Sequence, residues 1–77
     1  MLKIKDDYDL NNLKNMGFKH EEGSCWNYWE LQLEHCEYYI ETKNRIIDIT
    51  TESEFGVDLD ILYDMIQDGI VEKESEA

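Results

Sequence analysis

Apolar and polar residues alternate through the middle of the chain and recur at helical spacing nearer its two ends. From Cys25 to Leu33, one side carries Trp29, Leu31 and Leu33 and the other Trp26, Tyr28, Glu30 and Gln32, the two-residue period of a strand. Cys36 to Thr42 alternates too, with Cys36, Tyr38 and Ile40 against Glu37, Tyr39 and Glu41. In Arg45 to Thr51, Ile47 and Ile49 oppose Ile46, Asp48 and Thr50. A two-residue turn at Glu34–His35 pairs Leu33 with Cys36, Leu31 with Tyr38 and Trp29 with Ile40. A second at Lys43–Asn44 pairs Ile40 with Ile47 and Tyr38 with Ile49. Both turns put apolar side chains on one face, and a slip of one residue in either would turn a whole set to solvent. Asn44 tolerates the positive φ of a tight hairpin, whereas His35 is a weaker turn residue.

Toward the start, Leu2 and Ile4 alternate with Lys3 and Lys5, a short strand suited to a sheet edge. Asp7 and Asp9 are good helix N-caps, and Leu10, Leu13 and Met16 follow at helical spacing. Gly17 stops that helix, with Phe18 as the apolar latch behind it. Lys19 to Ser24 reads as a loop. After Thr51 the period becomes helical through Leu59, Leu62, Met65 and Ile66, with Ile61 nearby. Asp58 or Asp60 can cap this helix, and Gly69–Ile70 repeats the glycine-and-latch ending.

The pattern predicts strands near 2–5, 26–33, 36–42 and 45–51 and helices near 9–16 and 58–68. The fold class is α+β in two layers, order β-α-β-β-β-α. A three- to four-stranded antiparallel meander packs one face on both helices. One domain spans 1–71, and 72–77 is a short acidic tail. The expected core is Leu10, Leu13, Met16, Trp29, Leu31, Tyr38, Ile40, Ile47, Ile49, Leu62, Met65 and Ile66.

A chain of 77 residues makes one small domain. It holds 42% hydrophobic residues, enough for a core but not for a large enclosed substrate cavity as well. Seven Lys and Arg against nineteen Asp and Glu give a net charge of −12. That surface repels phosphates, which argues against direct nucleic-acid or anionic-membrane binding. No apolar run reaches the length of a signal peptide or a membrane span, so a cytoplasmic location is expected.

The residues that invite chemistry organise into no site. His20, Cys25, His35 and Cys36 match no zinc spacing. The inferred register puts Cys36 opposite Leu33, eight residues along the strand from Cys25, or roughly 26 Å, too far for a disulfide or one shared metal. Ser24, Ser53 and Ser75 lie in loop or tail contexts without a base and an orienting third group. The chain has neither a phosphate-cradling glycine loop nor a calcium loop. No catalytic residue, cofactor or metal is expected, and the chain is expected not to be an enzyme.

Two surfaces stand out instead. If both helices cover one side of the sheet, the other exposes Trp26, Tyr28, Tyr39 and Ile46 together, a candidate interaction face. Against this, the N-terminal segment or Phe55 would fold over it, or the helices would flank both faces. The second surface is acidic. No Lys or Arg occurs between Arg45 and Lys73, and Asp60, Asp64 and Asp68 recur every four residues. Such a stripe either imitates a phosphate backbone or is a solvated helix face.

The layout DDYDLNNLKNMGFK, then CWNYWEL, then RIIDITT, closing in LDILYDMIQDGIVEK, resembles the small uncharacterised accessory proteins of Gram-positive phages and prophages. The resemblance covers most of the chain and carries no catalytic or ligand residue. With the aromatic sheet face, the expected function is a non-enzymatic module of that accessory type that binds another protein or forms a homodimer, self-associating through that face. The alternative is an acidic DNA mimic that inhibits a host nuclease or defence protein. The closing LYDMIQDGIVEK also looks like the last helix of small winged-helix domains, but those carry a basic recognition helix and this chain has none.

Overall fold

The alternating middle of the chain becomes an antiparallel sheet in the expected register. The computed structural model describes residues 1–51 and 59–74. Its strands are β1 (Leu2–Ile4), β2 (Lys19–Glu22), β3 (Asn27–Gln32), β4 (Cys36–Glu41), β5 (Ile47–Thr51) and β6 (Val71–Lys73). A 3-10 helix covers Leu10–Met16, and an α-helix, α1, covers Asp60–Gln67. The architecture is α+β, with one sheet ordered β2-β3-β4-β5 and a separate two-stranded ribbon of β1 and β6.

Trp29 pairs with Ile40 and Leu31 with Tyr38, while Ile40 pairs with Ile47 and Tyr38 with Ile49. At the Glu34–His35 turn the Leu33 N–H donates to the Cys36 carbonyl at 2.8 Å. Ile4, Leu10, Leu13, Phe18, Trp29, Leu31, Cys36, Tyr38, Ile40 and Met65 are buried in one cluster. The ribbon and both helices thus share one core with the sheet. Met16, Ile47, Ile49 and Leu62 are half-buried against it. Each large side chain fully buried contributes about 1.5–3 kcal/mol.

Several elements depart from the sequence pattern. Lys19–Glu22 is a strand, not a loop. All four side chains are exposed, so no apolar period marked it. The backbone ladder to β3, from Lys19↔Glu30 to Glu22↔Asn27, holds it instead. The fourth strand of the sheet is therefore β2. β1 touches the sheet through one bridge, Lys3 to Ile46, and otherwise pairs with β6. Glu72 and Lys73, read as the start of a tail, lie in β6.

The first helix is a 3-10 helix capped by Asp9, whose Oδ1 accepts from the Asn11 N–H at 2.9 Å. Three asparagines in seven residues weaken the α-helical alternative. α1 begins at Asp60 behind Leu59, with no side-chain cap; Asp58, the other expected cap, and Phe55 lie outside the described residues. Ile66, expected in the core, is 47% exposed, because it projects about 100° around the helix from the buried Met65.

The second hairpin turns differently from its sequence reading. The left-handed residue is Arg45, φ 63°, rather than Asn44. The Arg45 N–H donates to the Glu41 carbonyl at 2.8 Å, closing a four-residue loop. Asn44 accepts from the Ile46 N–H through Oδ1 at 2.9 Å. Arg45 Nη1 donates to the carbonyls of Lys5 at 2.8 Å and Tyr8 at 2.7 Å, and the Arg45 carbonyl accepts from the Ile4 N–H at 2.9 Å. One side chain thus ties the N-terminal segment to the sheet.

Both helices end as expected. The Gly17 N–H donates to the Lys14 carbonyl and the Phe18 N–H to that of Leu13; Gly69 and Ile70 repeat this toward Ile66 and Met65. Gly17 has φ 97° and Gly69 φ 75°, where a side chain costs about 1–2 kcal/mol. A Cβ on Gly17 would also press on Leu31 Cδ1 at 3.3 Å, while one on Gly69 meets nothing within 4 Å. Urea unfolding should therefore show a loss of roughly 2 kcal/mol for Gly17→Ala and about 1 kcal/mol for Gly69→Ala. The opposite order would contradict these helix ends.

Candidate interaction face

Strand parity places the aromatic residues of interest. Residues that pair across a ladder share a face, so Tyr28 and Tyr39 lie on the side opposite Trp29, Leu31, Tyr38 and Ile40. The two rows across this outer face follow the expected order. One runs Glu30, Tyr39, Asp48, and the other sets Tyr28 beside Glu41. β2 extends them with Lys19 beside Glu30 and Glu21 beside Tyr28. The Tyr28 and Tyr39 rings meet edge to face, with centroids 5.9 Å apart.

Trp26 joins from the β2–β3 loop rather than from within a strand. The Gly23 N–H donates to the Trp26 carbonyl at 2.8 Å, and the indole folds back over Gly23. A Cβ at Gly23 would stand 2.2 Å from the ring, so glycine there lets the tryptophan pack against its own hairpin. The ring stays 54% exposed. Ile46 closes the far side at the bridge to Lys3.

Together these residues line an open depression of about 750 Å³, with Met1 and Lys43 also on its wall. Trp26, Tyr28, Tyr39 and Ile46 are therefore brought together. The N-terminal segment reaches the depression with Met1, itself 68% exposed, and leaves the tryptophan open. The sequence reading missed Met1 and the part played by Gly23. The available signal for the latter was a glycine three residues before an aromatic in a short loop.

The face is strongly acidic. Glu21, Glu30, Glu37, Glu41 and Asp48 share it with the two tyrosines, by strand parity. The Tyr39 hydroxyl donates to the Glu37 carboxylate. That bond, with desolvation and the charges of Glu37 and Glu30, holds the phenol above its ordinary range. Tyr39 is thus a fixed neutral ring at neutral pH.

The other sequence candidates stay apart from this face. Asp60, Asp64 and Asp68 are exposed, on α1 and at its C-terminal cap. The open side of α1 also carries Leu59, Tyr63 and Ile66, so apolar groups flank the acids. Cys25 is exposed, whereas Cys36 is buried in the core cluster. Among the described residues no three His, Cys, Asp or Glu side chains converge as a metal site. No helix among them is long and apolar enough to cross a membrane.

No family model matches this chain, and no curated protein or solved structure is significantly similar to it. The geometry of the face therefore bears the functional reading.

Proposed function

We propose that the chain is a non-enzymatic protein–protein interaction module that acts through the outer face of its sheet. It would be a cytoplasmic accessory protein of the phage or prophage type that its sequence resembles. One observation carries the reading. An aromatic depression of about 750 Å³ lies open on the side of the sheet that the core does not use, with Trp26 at its rim. Trp26 is exposed and Tyr28 and Tyr39 are half-buried beside it; accessible aromatic surface on a small domain marks a contact site, and Tyr and Trp are enriched where partners bury each other.

Sedimentation and hydrogen exchange test it together. Any homodimer should dissociate in Tyr39→Asp, which puts a charge in the middle of the face. A partner captured from host lysate should protect amides of β3 and β4. Protection confined to α1, with Asp60→Lys plus Asp64→Lys abolishing binding, would instead favour the acidic DNA mimic.

A further inference from the structure

The outer face has a regular composition that names its partner's chemistry. Each tyrosine is bracketed by carboxylates on the two neighbouring strands. Tyr39 on β4 pairs with Glu30 on β3 and Asp48 on β5. Tyr28 on β3 pairs with Glu21 on β2 and Glu41 on β4. Directly opposed side chains on a sheet stand about 4.5–5.5 Å apart at Cβ. A flat cation on either ring would therefore have an anion within reach on both sides. A guanidinium suits this arrangement: its plane stacks on an aromatic ring while its edge N–H groups donate to carboxylates.

The molecule has few cations of its own to place there. Arg45 is engaged with the Lys5 and Tyr8 carbonyls, and Lys3 with Asp6 and Glu72. Lys43 is the cation on the wall of the depression, and Lys19 stands at the β2 end of one row. A second copy docking by the same face would set five carboxylates against five, which like-charge repulsion opposes. The net charge of −12 would draw a basic protein toward the molecule and keep a nucleic acid away.

Resting on the reading that this face is the chain's interface, we infer that it receives an arginine-bearing basic segment of a different protein. Guanidinium groups lie over Tyr28 and Tyr39 between the flanking carboxylates.

The probe is an unstructured arginine–serine repeat peptide, with a glutamate–serine peptide as control. Binding is followed by the ring resonances of Tyr28 and Tyr39. The arginine peptide should bind and shift both rings, and the control should not. Glu30→Gln with Asp48→Asn preserves side-chain shape and should weaken binding about tenfold. Asp60→Asn with Asp64→Asn removes the same charge elsewhere and should change it less than about twofold. Tyr28→Leu with Tyr39→Leu keeps the charge but removes the ring faces, and should again cost about tenfold. Equal losses from the two carboxylate pairs would mean diffuse attraction and overturn the inference, as would unchanged binding in the leucine variant. If the peptide fails to bind while Tyr39→Asp still disrupts an assembly, the basic partner is wrong and the interface stands. If neither effect occurs, both fall.

Discussion

Replacing Arg45 with alanine should lower the stability of the domain by about 2–3 kcal/mol. Hydrogen bonds from a charged donor contribute about 1.5–3 kcal/mol each, and Arg45 Nη1 makes two, to the carbonyls of Lys5 and Tyr8. The side chain is half-buried, so water recovers part of that loss. Alanine would remain at φ 63° and relieve no strain. Arg45→Gly loses the same two bonds but removes about 1 kcal/mol of left-handed strain. The expected order in urea unfolding is wild type, then Arg45→Gly, then Arg45→Ala. Hydrogen exchange at Ile4 should accelerate in both variants, since its N–H donates to the Arg45 carbonyl. A change below about 0.5 kcal/mol in Arg45→Ala would mean that the N-terminal segment does not depend on this clamp.

Tyr38→Ala should cost the domain a large share of its stability. Tyr38 is fully buried at the centre of the sheet, paired with Leu31 on one side and Ile49 on the other. Its ring meets Phe18 edge-on, with centroids 6.5 Å apart. Removing a buried aromatic side chain costs about 3–5 kcal/mol. At about 0.05–0.15 kcal/mol per residue, 77 residues hold about 4–12 kcal/mol in total, so the loss takes a large share of it. The variant's urea midpoint should therefore fall to half of the wild-type value or below, with a weakened near-ultraviolet circular dichroism. Tyr38→Phe keeps the ring and its contact with Phe18, and should lose less than about 1.5 kcal/mol. A cooperative transition in Tyr38→Ala at nearly wild-type urea concentration would place the core elsewhere.

The central hairpins were legible because burial wrote their register into the chain. Trp29, Leu31, Tyr38, Ile40, Ile47 and Ile49 point to one side only if the turns fall where they do. The helix ends were legible because Gly17–Phe18 and Gly69–Ile70 carry the local signal of their geometry. β2 was not legible, because its four residues are polar and exposed and only backbone pairing holds them. β6 is three residues long and defined by a partner about seventy positions away, beyond the reach of any local pattern. Arg45 escaped for a related reason. Its left-handed backbone is offset by contacts with Lys5 and Tyr8, which the turn's own sequence does not contain.

The candidate face divides the same way. That Tyr28 and Tyr39 share a side is strand arithmetic, and it follows from the register. That they line a depression depends on Trp26 folding over Gly23 and on Met1 reaching the rim. Both are tertiary placements.

The β1–β6 ribbon has a mechanical consequence. Leu2 pairs with Lys73 and Ile4 with Val71, and the Glu74 N–H donates to the Met1 carbonyl at 2.8 Å. The outer ends of the two strands therefore lie side by side, at the same end of the ladder. A force drawing Met1 and Glu74 apart acts along the ribbon's hydrogen bonds, which lie across the strands. It loads them one at a time from the outside inward. The ribbon opens like a zipper at low force, rather than resisting in shear as a ladder pulled from opposite ends would. Resistance rises when the load reaches the Lys3–Ile46 bridge and the bond from Ile4 to Arg45, which pass the tension into the four-stranded sheet.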